Sequence, residues 1–306
     1  MKNKSVLVVG SANMDMVVQV DHYPRPGETI FGKNFGMYPG GKGANQAVAC
    51  AKLSAETIFL GKMGQDLFKD RLLDNMRSNG VIMDGLLIDP VNPTGIALIY
   101  VNSAGQNEIV VVSGSNMNLT PMDILAKAAL FEQSSLVLTQ LEIPIETVME
   151  AARLTRECGG LFFLNPAPAA MLPEELVGLI DFLTPNEIEL SMLTGVKVID
   201  ERTASQAAGQ LIEKGIGNVI VTMGAKGALW VHESTTRFFH SYKVKSVDTT
   251  AAGDAFNGAF ANGLANGKTV SEAIDFANRA AAITVTRPGA QPSMPILEEI
   301  DMLSLK

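Results

Sequence analysis

At 306 residues the chain is long enough to bury a full core and large for one domain, so one domain with an insertion, or two domains, is expected. A composition of 47% hydrophobic and 18% charged residues excludes a disordered protein. A net charge of −8 without a Lys/Arg cluster excludes a nucleic-acid partner, and no run approaches the ~18 apolar residues of a membrane helix.

The chain opens Met1-Lys2-Asn3-Lys4-Ser5 and runs straight into Val6-Leu7-Val8-Val9-Gly10. That apolar run is too short for a signal-peptide core and no small-residue cleavage site follows, so a cytoplasmic location is expected. Residues 6–9 read as a buried strand. Gly10-Ser11-Ala12-Asn13-Met14-Asp15 then stands outside a strand's carboxyl end, where open α/β sheets bind ligands. Asn13 and Asp15 project to one side of an extended chain and suit vicinal hydroxyls, although an ordinary Asx turn uses the same residues.

Residues 14–35 alternate polar and apolar around Pro24-Arg25-Pro26-Gly27, which suggests an antiparallel patch outside the buried sheet. Gly36-Met37-Tyr38-Pro39-Gly40-Gly41-Lys42 matches the front of a P-loop. Gly43 stands where that loop needs Ser or Thr, and no buried strand precedes it, so the P-loop reading fails. A glycine turn capping the next helix is the plain alternative. Gly40 and Gly41 also let the backbone approach a small ligand, while Lys42 and Asn45 share a face at the start of a helix over 43–53.

A strand over 57–60 and a helix over 67–78 follow. Residues 95–112 then carry two strand-like runs around Asn102-Ser103-Ala104-Gly105. Strands over 136–139, 161–164, 182–184 and 219–222, with helices over 145–157 and 205–214, indicate a parallel sheet covered on both faces. The expected organisation is an α/β core of 1–12, 40–93 and 114–306, with a small β-sheet lid from 13–39 and 94–113.

Thr184-Pro185-Asn186-Glu187-Ile188-Glu189 ends a strand and opens a helix with acidic residues in its first turn, which capping alone explains equally well. Thr222-Met223-Gly224-Ala225-Lys226-Gly227 is a glycine turn suited to a nucleotide, though many strand turns look alike. The strongest signal is Asp248-Thr249-Thr250-Ala251-Ala252-Gly253-Asp254, small residues running into a helix through Phe260 and Leu264. Open backbone N–H groups and the helix dipole make an anion site there, with Asp254 at its mouth as a base unless it merely caps the helix. Thr286-Arg287-Pro288-Gly289-Ala290-Gln291-Pro292-Ser293 is a turn-rich loop whose carbonyls can converge on a cation. His22, His232 and His240 have no metal-ligand spacing, and Cys50 and Cys158 are expected to be buried thiols.

Together these segments resemble the ribokinase-like (PfkB) carbohydrate kinase family over essentially the whole chain. The pieces in family order are Gly10-Ser11-x-Asn13-x-Asp15, Pro26-Gly27-Glu28-Thr29, Gly40-Gly41-Lys42-Gly43-Ala44-Asn45-Gln46-Ala47, Gln140-Leu141-Glu142, Asn165-Pro166-Ala167-Pro168-Ala169, Thr184-Pro185-Asn186-Glu187, the 248–254 run and Gly289-Ala290-Gln291-Pro292-Ser293. Pro39 before the glycine pair, and Asn278 at a variable position, are mild departures.

The resemblance implies a three-layer α/β/α core with a mostly parallel sheet, and a β-sheet lid through which two chains dimerise. It implies sugar contacts from Asn13, Asp15, Gly41, Lys42, Asn45, Glu142 and Asp254. ATP would lie among Asn186, Thr222, Met223, Gly224, Ala225, Lys226, Gly227, Gly253, Asp254 and Asn278. Ala251, Ala252 and Gly253 would form an anion hole and Asp254 the catalytic base. Asp248, Thr250, Thr284, Arg287, Gly289 and Ser293 would hold a monovalent cation, K+, several through carbonyls. Mg2+ would be held mainly by ATP and water. The expected reaction is ATP-dependent phosphorylation of D-ribose at its 5-hydroxyl, since Asn13 and Asp15 together favour vicinal hydroxyls. A kinase for 2-deoxyribose, a nucleoside or another sugar is the runner-up. A non-catalytic sugar-binding regulator on the same fold, or a dinucleotide-dependent oxidoreductase, is weaker.

Overall fold

A computed structural model describes residues 5–233 and 235–303. Residues 1–4, which open the chain ahead of the first apolar run, and 304–306, both within the expected core, lie outside them. Strand β1 (Ser5–Val9) illustrates how uninterrupted Val and Leu residues dictate the layers. Val6 and Val8 enter the core on one face of the sheet, and Leu7 and Val9 enter the core on the other.

The remaining strands are β2 (Asn13–Gln19), β3 (Asn34–Gly40), β4 (Glu56–Gly64), β5 (Ile82–Asp89), β6 (Gly95–Val101), β7 (Asn107–Val112), β8 (Ser134–Thr139), β9 (Leu161–Leu164), β10 (Phe182–Leu183), β11 (Asn218–Thr222), β12 (Gly227–His232) and β13 (Thr235–His240). Helices α1 (Lys42–Lys52), α2 (Leu67–Ser78), α3 (Pro121–Leu125), α4 (Ala128–Gln133), α5 (Ile145–Glu157), α6 (Glu174–Val177), α7 (Glu187–Thr194), α8 (Glu201–Glu213), α9 (Ala252–Ala265), α10 (Val270–Thr284) and α11 (Leu297–Leu303) connect them.

Nine strands form the main sheet in the order β13-β12-β11-β10-β9-β8-β1-β4-β5. Every neighbouring pair from β11 to β5 is parallel, and β12 and β13 are added antiparallel at one edge. Residues of α1, α9 and α10 pack into one core layer, and residues of α5, α7 and α8 into the other, which makes the three-layer α/β/α architecture. None of the described helices is long and apolar enough to cross a membrane.

The second sheet has four strands in the order β3-β2-β6-β7. It is not wholly antiparallel, as residues 14–35 and 95–112 had suggested: β2 and β6 run parallel, Asn13 beside Gly95. The cause is connectivity. Each follows a strand of the same parallel sheet, β1 or β5, so both leave the core in one direction and meet side by side. Gly36–Gly40, for which a glycine turn was the plain alternative, is part of β3, paired with β2 through Asn13↔Gly40 and Val17↔Gly36. Pro39 is tolerated because β3 is an edge strand. Helix α8 begins four residues before the expected 205, capped by Asp200, whose side chain accepts the Thr203 N–H at 2.8 Å.

Candidate active site

Helix α9 enters the site with no side-chain cap. Ala251, in the cap position, is left-handed at φ 57, and Asp254 lies in the first turn. Asp254 therefore is not the cap. Its carboxylate turns away from its own helix to the start of α1, where Asn45 Nδ2 donates to Oδ2 and Gln46 Nε2 to Oδ1, both at 2.9 Å. Of the three expected anion-hole residues, Gly253 lines a cavity of about 210 Å3 beside Asp254, Lys42 and Glu189. The Ala252 N–H turns back to the Thr249 carbonyl at 3.3 Å.

The start of α1 is set by Gly41, whose φ of 87 is a left-handed conformation that a side chain resists. A Cβ there would sit 2.7 Å from the Asn13 nitrogen, and one on Gly40 would sit 2.1 Å from Asp15 Oδ2. Glycines thus bring the β1–β2 crossing against α1. Glu142, just beyond β8, accepts the Lys42 backbone N–H at 3.0 Å and the Ser11 hydroxyl on the same oxygen. Asn13 is buried, its Oδ1 taken by Asn116 Nδ2 at 2.7 Å, which leaves its own N–H groups for a ligand.

Burial opposes the Lys42 ammonium, but Asp254, Glu142, Glu189 and Asp15 surround it and carry its pKa above the usual lysine value. Lys42 therefore stays charged. Burial raises the Asp254 pKa, while Lys42, Asn45 and Gln46 pull against that rise. Burial, reinforced by Glu142 and Asp254, pushes Asp15 up to about 7. Glu189 is likewise raised by burial.

Among the residues expected to hold ATP, Asn186 caps α7, accepting the Ile188 and Glu189 N–H groups at 2.9 and 2.8 Å, and also lines the cavity with Thr222. Gly224 and Gly227 have positive φ in the turn after β11. Lys226 pairs with Glu187 at 3.0 Å, Ala225 is exposed, and Met223 is buried in the core. Asn278 is buried on α10, donating to the Phe239 carbonyl at 3.5 Å, and is not among the residues lining the cavity.

The expected cation residues are partly gathered. Asp248 accepts the Thr250 N–H at 2.9 Å and the Gly289 N–H at 2.8 Å, joining the two segments. The Thr284 and Ser293 hydroxyls donate to the Ala280 and Ala290 carbonyls, and Arg287 pairs with Glu299. Among the described residues no cluster of three or more His, Cys, Asp or Glu side chains could hold a metal ion. Cys50 is buried and donates to the Gly258 carbonyl at 3.1 Å, whereas Cys158 is only half-buried, short of the burial expected for it.

Residues 3–297 match the family described as pfkB family carbohydrate kinase. A ribokinase of Haemophilus influenzae is 42% identical over 296 residues, 97% of each chain. The chain belongs to the pfkB family of carbohydrate kinases. A deoxyribokinase of Salmonella typhi is 38% identical to this kinase over 297 residues, again 97% of each chain. The structure of Arabidopsis thaliana ribokinase complexed with ribose and ATP matches it with a TM-score of 0.93 at 35% identity, over 99% of each chain.

Several residues that position the site in this kinase had no assigned role in the sequence. Gln46, Gln140 and Asn165 form a buried amide cluster beneath Asp254: Gln140 donates to Gln46 at 2.6 Å, and Gln46 to Asn165 at 3.0 Å. All three stood inside the quoted runs, but an amide in a helix or loop carries no distinctive signal. A wider depression of about 520 Å3 between β13 and α10 contains none of the expected site residues, and its Arg279 is paired with Asp275.

Proposed function

We propose that this kinase transfers the γ-phosphoryl group of ATP to the 5-hydroxyl of D-ribose, with Asp254 as general base. The observation that carries the reading is the buried Asp254 carboxylate, held on both oxygens by amides and facing a cavity that Lys42 and Gly253 also line. As the sugar oxygen bonds to the γ-phosphorus and the bond to ADP breaks, the hydroxyl proton passes to Asp254, whose raised pKa suits that task. The open first turn of α9, with Gly253 on the cavity wall, suits the negative charge on the moving phosphoryl group. Asn13, Asp15, Lys42, Asn45 and Glu142 would bind the sugar, and Asn186 and the 222–227 turn the nucleotide. The identity to ribokinases over nearly the full length supports ribose.

Mg2+ fits as a companion of ATP: Glu189 lines the cavity and spends one carboxylate oxygen on the Asn186 N–H at 2.8 Å, which leaves the other to meet the ion's water shell, and charge neutralisation is what the ion supplies. K+ would suit the 248–250 and 284–293 segments, which Asp248 joins by accepting the Thr250 and Gly289 N–H groups and whose main-chain oxygens would complete the ion's shell. The proposal extends to a cytoplasmic homodimer joined through the lids, and to a lid of 13–39 and 94–113 that excludes water from the closed site.

A coupled assay with magnesium-ATP across ribose, 2-deoxyribose, nucleosides and hexoses, with and without K+, tests the reading. Ribose is expected to give the highest kcat/KM, and omission of K+ to lower the rate. Asp254→Asn is expected to lower kcat on the order of 10²–10⁴ while leaving ligand binding near intact. A variant retaining more than about a tenth of the wild-type kcat removes Asp254 as base, and a preference for 2-deoxyribose replaces the substrate.

A further inference from the structure

A carboxamide has an acceptor side and a donor side, so the partner on one side decides what the other presents. Asn45 presents its N–H to Asp254 Oδ2 because its own Oδ1 is occupied by Gln291 Nε2 at 3.0 Å. Gln291 is fixed in turn, since Asn75 of α2 donates to its Oε1. The order Asn75→Gln291→Asn45→Asp254 therefore runs one way. On the other carboxylate oxygen, Gln140→Gln46→Asp254 runs likewise. Gln291 is 2% exposed and Asn45 6%, so water does not replace a lost partner freely. Were Asn45 to flip, its oxygen would face a carboxylate oxygen, and its NH2 the NH2 of Gln291.

We propose that Gln291 is a positioning residue for phosphoryl transfer: its carboxamide fixes the orientation of Asn45 and so keeps the Asn45 N–H on the Asp254 carboxylate. This role rests on the reading of Asp254 as the base. Gln291 sits in the short 3-10 turn Gln291–Ser293, whose loop is tied to Asp248 through Gly289 and to α1 through the Lys52 bond to the Met294 carbonyl. The loop thus holds Gln291 at a fixed place relative to α1, and the carboxylate keeps one plane in which its free lone pairs face the cavity.

Gln291→Met keeps the length of the side chain and removes its donor. With ribose and magnesium-ATP, kcat/KM for ribose is expected to fall roughly 10- to 100-fold while KM for ATP stays within about twofold. In the Asn45→Ala background the same change is expected to cost less than about threefold, because its target is already gone. Gln291→Glu, which still accepts from Asn75 but when ionised has no N–H for Asn45, is expected to lose activity in the same way and covers a Met variant that fails to fold. Losses that multiply in the double variant, or wild-type kcat/KM in either single variant, overturn the role of Gln291 alone. A wild type that phosphorylates no sugar removes the kinase reading and this role with it.

Discussion

Four carboxyl groups, Asp15, Glu142, Glu189 and Asp254, surround the single ammonium of Lys42, so one of them can be relieved by taking up a proton. Asp15, pushed up to about 7 by burial first and then by Glu142 and Asp254, is one group poised to do so near neutral pH. The folded chain keeps a proton on Asp15 that the unfolded chain has already lost. The resulting stability is fully present below about pH 4 and is lost as the pH rises through about 7. Asp15→Asn escapes that loss. Thermal melts are expected to find the variant more stable than wild type at pH 8, on the order of 1–3 kcal/mol, and nearly equal at pH 4. A constant difference across that range would remove the proton from Asp15. Asp15, Lys42, Asn45 and Asp254 were legible because each stands among glycines or small residues where the chain changes course. Gln140 and Gln291 were not. Their meaning lies in which side of an amide meets which partner, and the fold brings those partners from far along the chain: Gln291 reaches Asn45, and Gln140 reaches Gln46.

Asp254 meets Asn45 and Gln46 only because α9 lies unusually close to α1. A Cβ on Gly258 would stand 2.4 Å from the Ala49 Cβ and 2.8 Å from the Gln46 carbonyl oxygen. Alanine is the better helix former by up to about 1 kcal/mol, but here the clash outweighs propensity, and overpacking costs about 1–3 kcal/mol. Gly258→Ala is expected to lower stability in denaturant melts and to lower kcat, because α9 moves Asp254 away from its amides. Ala49→Gly in the same chain should restore part of both; if kcat stays at wild-type level in Gly258→Ala, the two helices do not set the carboxylate. Burial and edge position likewise decide which elements could be read from the sequence. β1, β8, β9 and β11 are short apolar runs, and their length and their β-branched or aromatic residues favour a strand buried on both faces over a helix. β5 was missed because it lies at the sheet edge, where Ile82 and Ile88 are exposed and Asp84 and Gly85 interrupt the pattern. β13 was missed at the opposite edge, where Thr235, Thr236, Arg237 and His240 face solvent.

The lid's outer strand carries Ile109, Val110, Val111 and Val112, all between 46% and 55% exposed, on a sheet edge with unpaired backbone groups. Such an edge invites a second chain. If the proposed homodimer joins there, wild type is expected to elute as a dimer in gel filtration and Val110→Lys as a monomer. A wild type that remains monomeric at tens of micromolar would discard the lid as the joining surface. The main sheet has a different consequence, one of time. β1 lies between β8 and β4, so the first strand made has one neighbour by Gly64 and lacks the other until Thr139 exists. At about 5–20 residues per second on the ribosome, the half-paired interval from residue 64 to residue 139 lasts roughly 4 to 15 s. During it, Val6 to Val9 have a strand neighbour on only one side, and the nascent chain carries that uninterrupted apolar run half-paired past every chaperone it meets.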